Sequence, residues 1–296
     1  MQENTVRLQP LQGPLWPLLC RAGFSLLRPQ RDFGANRRQF SHQLPAPAAA
    51  AISDYQQHFA FAPEAVPLCF YYPLLQRAQL ASMLQCQGLR VAGLIHTDNY
   101  LEAQQAQTPQ MLCGNGPVQI DTALHTENNE KGLYLRVEQQ LWQQGQQVLR
   151  ASSGYLLKKI PRSAAPAAIT ADVAAALPAE QHHRVLAQIQ TQPDAARRYA
   201  RLSGDFNPIH LWHWSARLFG QRQPILHGMA SAALLCQALP QPLQSLTLRF
   251  RKPVYPGSLL QLCQISDGVY QLYDGQRLCL EADLRYWPDA HAFDTH

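Results

Sequence analysis

The run Ala230-Ser231-Ala232-Ala233-Leu234-Leu235-Cys236-Gln237-Ala238-Leu239 is apolar or small on every side. A helix with no polar face must lie buried inside other structure. The chain that follows it is strand-like. Leu246, Leu248 and Phe250 alternate, as do Leu278, Leu280, Ala282, Leu284 and Tyr286. Leu259 to Ile265 and Val269 to Tyr273 lie between them, and Asp267-Gly268 and Asp274-Gly275 are hairpin signals. The first part of the chain reads as a weaker copy of the same plan. Ile52 to Phe61 precedes a helix over Pro73 to Gln85, then strand-like Leu89 to Tyr100 and Val118 to His125. A long hairpin follows, with Leu133, Leu135 and Val137 alternating and Gln144-Gly145 turning into Val148 to Lys158. The Ala/Pro-rich stretch between the copies reads as a linker. The expected division is an N-terminal arm at 1–50, a first unit at 51–160, a linker at 161–183 and a second unit at 184–296.

Chemistry concentrates in Ser203-Gly204-Asp205-Phe206-Asn207-Pro208-Ile209-His210. Gly204 admits backbone angles that other residues resist, and Pro208 fixes its own φ and extends Asn207. The result is a shaped turn that aims an acid, Asp205, and an imidazole, His210, at one point. Ser203 suits capping of the turn, because no G-x-S-x-G context marks it as a nucleophile. Asn207 has either an Asx-turn role or a side-chain contact in the site. Trp212 to Phe219, stopped by Gly220, fits a short helix. His227-Gly228-Met229 then opens the apolar helix. The N–H groups of a helix start lack partners, and Gly228 would let a ligand approach them, so an oxyanion fits there. His227 reads as a shaping residue beside that donor. Met229, Ala232 and Ala233 give that helix a small, apolar face suited to lining a pocket.

Tyr199 to Met229 (YARLSGDFNPIHLWHWSARLFGQRQPILHGM) resembles the hydratase motif of MaoC-like enzymes, the (R)-specific enoyl-thioester hydratases and 3-hydroxyacyl-thioester dehydratases. The aromatic before the motif, Gly-Asp-x-Asn-Pro-Ile-His, Ser215-Ala216 and the His-Gly opening a helix match together. Lys252-Pro253-Val254-Tyr255-Pro256-Gly257 resembles the family's turn between strands. Ala92-Gly93-Leu94-Ile95-His96-Thr97-Asp98-Asn99 is similar to the non-catalytic half of double hot-dog dehydratases. The resemblance implies an α+β double hot-dog, two antiparallel sheets each wrapped around a central helix and joined edge to edge. The first half lacks Gly-Asp-x-Asn-Pro-x-His, so one active site per chain is expected. It also implies reversible hydration of trans-2-enoyl thioesters, carried by CoA or an acyl carrier protein. Asp205 and His210 would hold water, and the Gly228 N–H would meet the thioester oxygen. An acyl-CoA thioesterase and a non-catalytic acyl-thioester binding module are the alternatives.

Composition narrows the rest. Apolar residues are 46% and charged residues 15% of a 296-residue chain with net charge +5. No apolar run is long enough to cross a bilayer, and no signal peptide is expected. Seven scattered cysteines without a C-x-x-C pair argue for reduced thiols in the cytoplasm. Arg21, Arg28, Arg31, Arg37 and Arg38 cluster, yet no nucleic-acid module or aromatic platform accompanies them, so no nucleic-acid partner is expected. Arg249, Arg251 and Lys252 are either plain surface or contacts to carrier phosphates. His210, His213, His227 and Asp205 could be drawn around a metal, but no cysteine pair or closing carboxylate has ligand spacing. Neither metal nor cofactor is expected beyond the carrier of the substrate. The chain is an intrachain pseudo-dimer, and association of two chains is open.

Overall fold

The computed structural model describes residues 7–25, 37–130, 132–158 and 184–287. The first half runs β1 (Leu8–Pro10), α1 (Trp16–Phe24), β2 (Arg38–Leu44), α2 (Ala49–Phe59), a 3-10 turn at Leu68–Phe70, α3 (Tyr71–Gln85), β3 (Ile95–Ala103), α4 (Pro109–Gly114), β4 (Val118–Asn129), β5 (Gly132–Gln143) and β6 (Gln146–Lys158). The second half runs β7 (Arg184–Gln190), α5 (Ala195–Ser203), a 3-10 turn at Pro208–His210, α6 (His213–Leu218), α7 (Gly228–Cys236), β8 (Leu243–Phe250), β9 (Leu259–Ser266), β10 (Val269–Asp274) and β11 (Arg277–Tyr286).

All strands belong to one 11-stranded sheet in the order β1-β2-β4-β5-β6-β3-β8-β11-β10-β9-β7. The halves meet where β3 pairs antiparallel with β8, with Asp98 opposite Arg249 and Glu102 opposite Ser245. This junction gives each of the two strands a partner on a side that would otherwise be an open edge. The hairpin between β5 and β6 turns at Gln144 (φ 51) and Gly145 (φ 76). Positive φ at both positions matches the twist of the flanking strands, so this pair sets the hairpin's register.

The apolar patterns explain the layers. α3 buries Tyr71, Leu74, Leu75, Ala78, Leu80 and Met83, among others, and α7 buries Met229 through Ala233. One hydrophobic cluster joins Leu75 and Ala78 of α3, Ala232 and Ala233 of α7, and sheet residues Leu101, Ile120, Leu141, Leu246, Leu248 and Leu272. The two units therefore share a core as well as a sheet. This is the α+β double hot-dog that the resemblance implied.

Several boundaries differ from expectation. The segment assigned to an arm supplies β2, which pairs along its length with β4. Its α1 packs Leu15 and Ala22 against Leu80 and Leu84 of α3. The first unit therefore starts before residue 51, because its sheet needs β2 to cover the edge of β4. β3 begins at Ile95 rather than Leu89, since Gly93 turns with φ 87 just before it. α7 stops at Cys236, so the second helix is shorter than α3. The linker expected at 161–183 lies outside the described residues. Among the described residues no helix is long and apolar enough to cross a membrane.

Candidate active site

α5 ends at Ser203 because Gly204 turns left-handed (φ 76) and its N–H closes on the Ala200 carbonyl. Ser203 Oγ donates to the Tyr199 carbonyl at 2.9 Å and accepts the Asp205 N–H at 3.2 Å. That hydroxyl is committed to the turn. The chain then folds around the Asp205 carboxylate, whose Oδ1 accepts the Asn207 N–H at 3.1 Å. Asn207 Oδ1 accepts the Ile209 N–H at 3.4 Å, capping the 3-10 turn that Pro208 opens. Ser215 Oγ, donating to the Pro208 carbonyl at 2.6 Å, anchors this turn to α6. His210 ends the turn and so faces the acid that starts it.

The histidine tautomers follow from their partners. His210 Nδ1 lies 2.8 Å from the Ile225 carbonyl. A carbonyl only accepts, so Nδ1 carries the proton and Nε2 keeps its lone pair. His227 Nε2 donates to the Asp205 carbonyl at 3.0 Å, and its ring stacks on His210 with centroids 3.6 Å apart. Burial depresses the His210 pKa below its ordinary value despite the pull of Asp205. Burial and the neighbouring His210 push His227 down to about 3. Burial alone would raise Asp205, but His227, His210, the Gln76 amide and the Asn207 N–H together hold it below its ordinary value. The site at neutral pH is thus a buried carboxylate beside two neutral imidazoles.

α7 starts against this group. His227 is its N-cap, and the first amide of the helix to reach a backbone acceptor is that of Ala230. The N–H groups of Gly228 and Met229 precede it, at the positive end of the helix dipole. The reason for glycine at 228 differs from the expected one. A Cβ there would come within 2.9 Å of the Phe250 ring. On the side where a side chain would stand, the space is filled by an aromatic ring of β8. Gly228→Ala should therefore displace Phe250 and cost about 1–3 kcal/mol, the usual range for overpacking. Urea unfolding of Gly228→Ala, alone and with Phe250→Leu, checks this. The second substitution should restore most of the loss, and an unaltered Gly228→Ala would contradict the packing argument.

The first half supplies groups that no local motif announced. Gln76 of α3 donates from Nε2 to Asp205 Oδ2 at 2.7 Å. His96 of β3 stacks on Tyr155 at 4.7 Å and tilts against Phe250 at 4.8 Å. Burial drives His96 down to about 4, although Asp98 and Asp205 pull it up. Tyr72 and Tyr155, 3.0 Å apart between hydroxyl oxygens, both feel the Asp205 charge. The Ala92–Asn99 stretch thus reaches the site through His96. Gln76, Tyr72 and Tyr155 carry no sequence signal, because they sit on a helix and a strand more than forty residues from the turn.

The remaining candidates fall as follows. Met229, Ala232 and Ala233, the candidates for an acyl pocket, are buried in the shared core. Arg251 pairs with Glu281 at 2.5 Å. Asp205, His210 and His227 bring one oxygen and two nitrogens within 4.8 Å of one another. Both carboxylate oxygens already accept an N–H, so a cation would have to share them with two donors. An open hollow of about 900 Å³ is lined by residues that include Arg37, Glu102, Asp121, Glu138 and Arg150, and by none of Asp205, His210 and His227.

Residues 175–271 match the family described as "MaoC like domain". This part of the chain is similar to MaoC-like domains. The 3-hydroxyacyl-thioester dehydratase Y of Mycobacterium tuberculosis is 38% identical over 90 residues, 27% of this chain and 31% of its own length. The peroxisomal hydratase-dehydrogenase-epimerase of Saccharomyces cerevisiae is 36% identical over 103 residues, 33% of this chain and 11% of its own length. The matched segment is thus under a third of each relative. Similarity in three dimensions reaches further. The crystal structure of HtdX of Mycobacterium tuberculosis superposes with a TM-score of 0.66 at 20% identity, covering 84% of this chain and all of that one. The double hot-dog therefore extends over both halves, while sequence similarity to the curated relatives concentrates in the segment that holds Asp205, His210 and Gly228.

Proposed function

We propose that the protein is an (R)-specific hydratase/dehydratase that interconverts trans-2-enoyl and (3R)-3-hydroxyacyl thioesters of CoA or an acyl carrier protein in fatty acid metabolism. The observation that carries this reading is the pairing of a carboxylate held ionised in a buried site with a neutral imidazole whose Nε2 is free to accept a proton. In hydration, a water placed between Asp205 and His210 adds its oxygen to C3 of the enoyl group. One of its protons passes to this pair and one proton is delivered to C2. Electron density from the double bond moves onto the thioester oxygen, where the Gly228 N–H can hold it until C2 is protonated. A positioned acid–base group typically contributes 10²- to 10⁴-fold, and one oxyanion donor about 3 kcal/mol. The similarity to a 3-hydroxyacyl-thioester dehydratase supports the same chemistry.

The reaction moves only water and protons, so we propose that it needs no redox cofactor or metal. Seven scattered cysteines without a C-x-x-C pair support a reducing compartment such as the cytoplasm. The test is loss of the conjugated enoyl absorbance with crotonyl-, octenoyl- and dodecenoyl-CoA. Wild type is expected to consume the enoyl signal and yield the (R)-3-hydroxy product. Release of free CoA from saturated acyl-CoA without hydration would overturn the reading in favour of a thioesterase, and tight binding without turnover in favour of a binding module.

A further inference from the structure

The carboxylate expected to do proton transfer is oriented by the half of the molecule that lacks the catalytic turn. We propose that Gln76 is a positioning residue for Asp205, and that the first unit thereby takes part in catalysis; this rests on the function proposed above.

The geometry is specific. Asp205 has two carboxylate oxygens, and each accepts one N–H: Oδ1 from the Asn207 backbone at 3.1 Å and Oδ2 from Gln76 Nε2 at 2.7 Å. The first contact comes from the catalytic turn itself and cannot fix rotation of the carboxylate about its last bond. The second comes from the opposite half and does. With both made, the plane of the carboxylate is set and its remaining lone pairs are left for a water shared with His210. A hydrogen bond to the charged form also favours that form.

Gln76 is itself held in place. Gln79, one turn further along α3, donates to Gln139 Oε1 at 2.7 Å and Ser153 Oγ at 2.9 Å, and accepts the Tyr155 hydroxyl at 2.7 Å. These bonds tie the α3 face that presents Gln76 to β5 and β6. The titratable groups around Asp205 come from several elements: His210 and His227 from the second half, Tyr199 from α5, Tyr72 from α3, His96 from β3 and Tyr155 from β6. The hydrogen bonds described above for the carboxylate come instead from the Asn207 N–H and the Gln76 amide. Gln76 is the one side chain of the first half, among the described residues, that hydrogen-bonds it.

Two near-isosteric variants test the proposal. Gln76→Met keeps the volume and removes the donor. It should lower kcat about ten- to a hundredfold, the cost of one hydrogen bond to a charged group, with KM little changed. Gln76→Glu places a second carboxyl against Asp205. Protonated, that carboxyl can donate as the amide does; ionised, it repels. Its rate relative to Gln76→Met should therefore climb as pH falls from 8 to 5. A purely packing role predicts no such pH-dependent recovery. Titration of [¹³C]carboxyl-labelled aspartate in the resting protein gives a readout that needs no substrate: the Asp205 signal should titrate higher in Gln76→Met than in wild type. Unchanged kcat and unchanged titration in both variants would overturn the proposal. A wild type that turns over no enoyl thioester, with the titration shift still present, would overturn the assigned reaction and leave the positioning role standing.

Discussion

Asp205→Asn should fold and yet hydrate enoyl thioesters about 10²- to 10⁴-fold more slowly than wild type. The expectation of a sound fold is a hydrogen-bond argument. The carboxylate accepts two N–H groups, from the Asn207 backbone and from Gln76. An asparagine amide has one oxygen, which must face the Asn207 N–H because that donor cannot rotate. Its NH₂ then faces Gln76, and Gln76 can turn its own amide to present Oε1. No buried donor is left facing a donor, so stability should change by less than about 1 kcal/mol. The chemistry does not survive the same exchange. An amide has no usable basicity, so the water loses its acceptor. Turnover and thermal unfolding measured on the same preparation separate the two effects. A folded variant at near wild-type rate would refute the assignment of Asp205.

Replacing His210 should be as costly to turnover and harder on the fold. His210→Ala removes the free Nε2, strands the Ile225 carbonyl and uncovers the stacked face of His227. The stranded acceptor alone costs about 1–3 kcal/mol. His210→Asn is the cleaner probe, because its amide nitrogen falls where Nδ1 sits and can keep the Ile225 bond while offering nothing at Nε2. Both variants should lose about 10²- to 10⁴-fold in kcat. Added imidazole should restore part of the loss in His210→Ala only, where there is room for it. The pH dependence has a definite sign. Hydration needs Asp205 ionised and His210 neutral, both deprotonated forms. Each pKa lies below its ordinary value, 3.8 for the acid and 6.5 for the imidazole, through the burial and partners described above. Lowered pKa values extend the active forms toward acid, so the midpoint of the acid limb of kcat/KM should lie below 6.5. An acid limb above 6.5 would contradict the neutral-imidazole site.

Much of this was legible locally. The Ser203–His210 turn is defined by residues whose backbone preferences act over a few positions: Gly204 at positive φ, Asn207 capping, Pro208 opening a 3-10 turn. The all-apolar face of α7 and the alternation of β11 likewise require no distant partner to be recognised. The misread boundaries share a different origin. Arg38–Leu44 has little pattern of its own and becomes a strand because β4 offers an unpaired edge. Gly228 looked like a ligand-approach glycine because helix starts favour that reading, and only the position of Phe250 gives the packing reason.

The sequence by itself determined which residues meet at the candidate site, since an acid, an imidazole and a helix start brought together by short-range turns need only about twenty-five residues of chain. Tertiary structure decided what state those residues are in. The His210 and His227 tautomers depend on the Ile225 and Asp205 carbonyls, the protonation of the group depends on burial in a core shared by both units, and the orientation of Asp205 depends on Gln76, 129 positions away. Such contacts are set by how two sheets join at β3 and β8, a global geometry that no local propensity encodes.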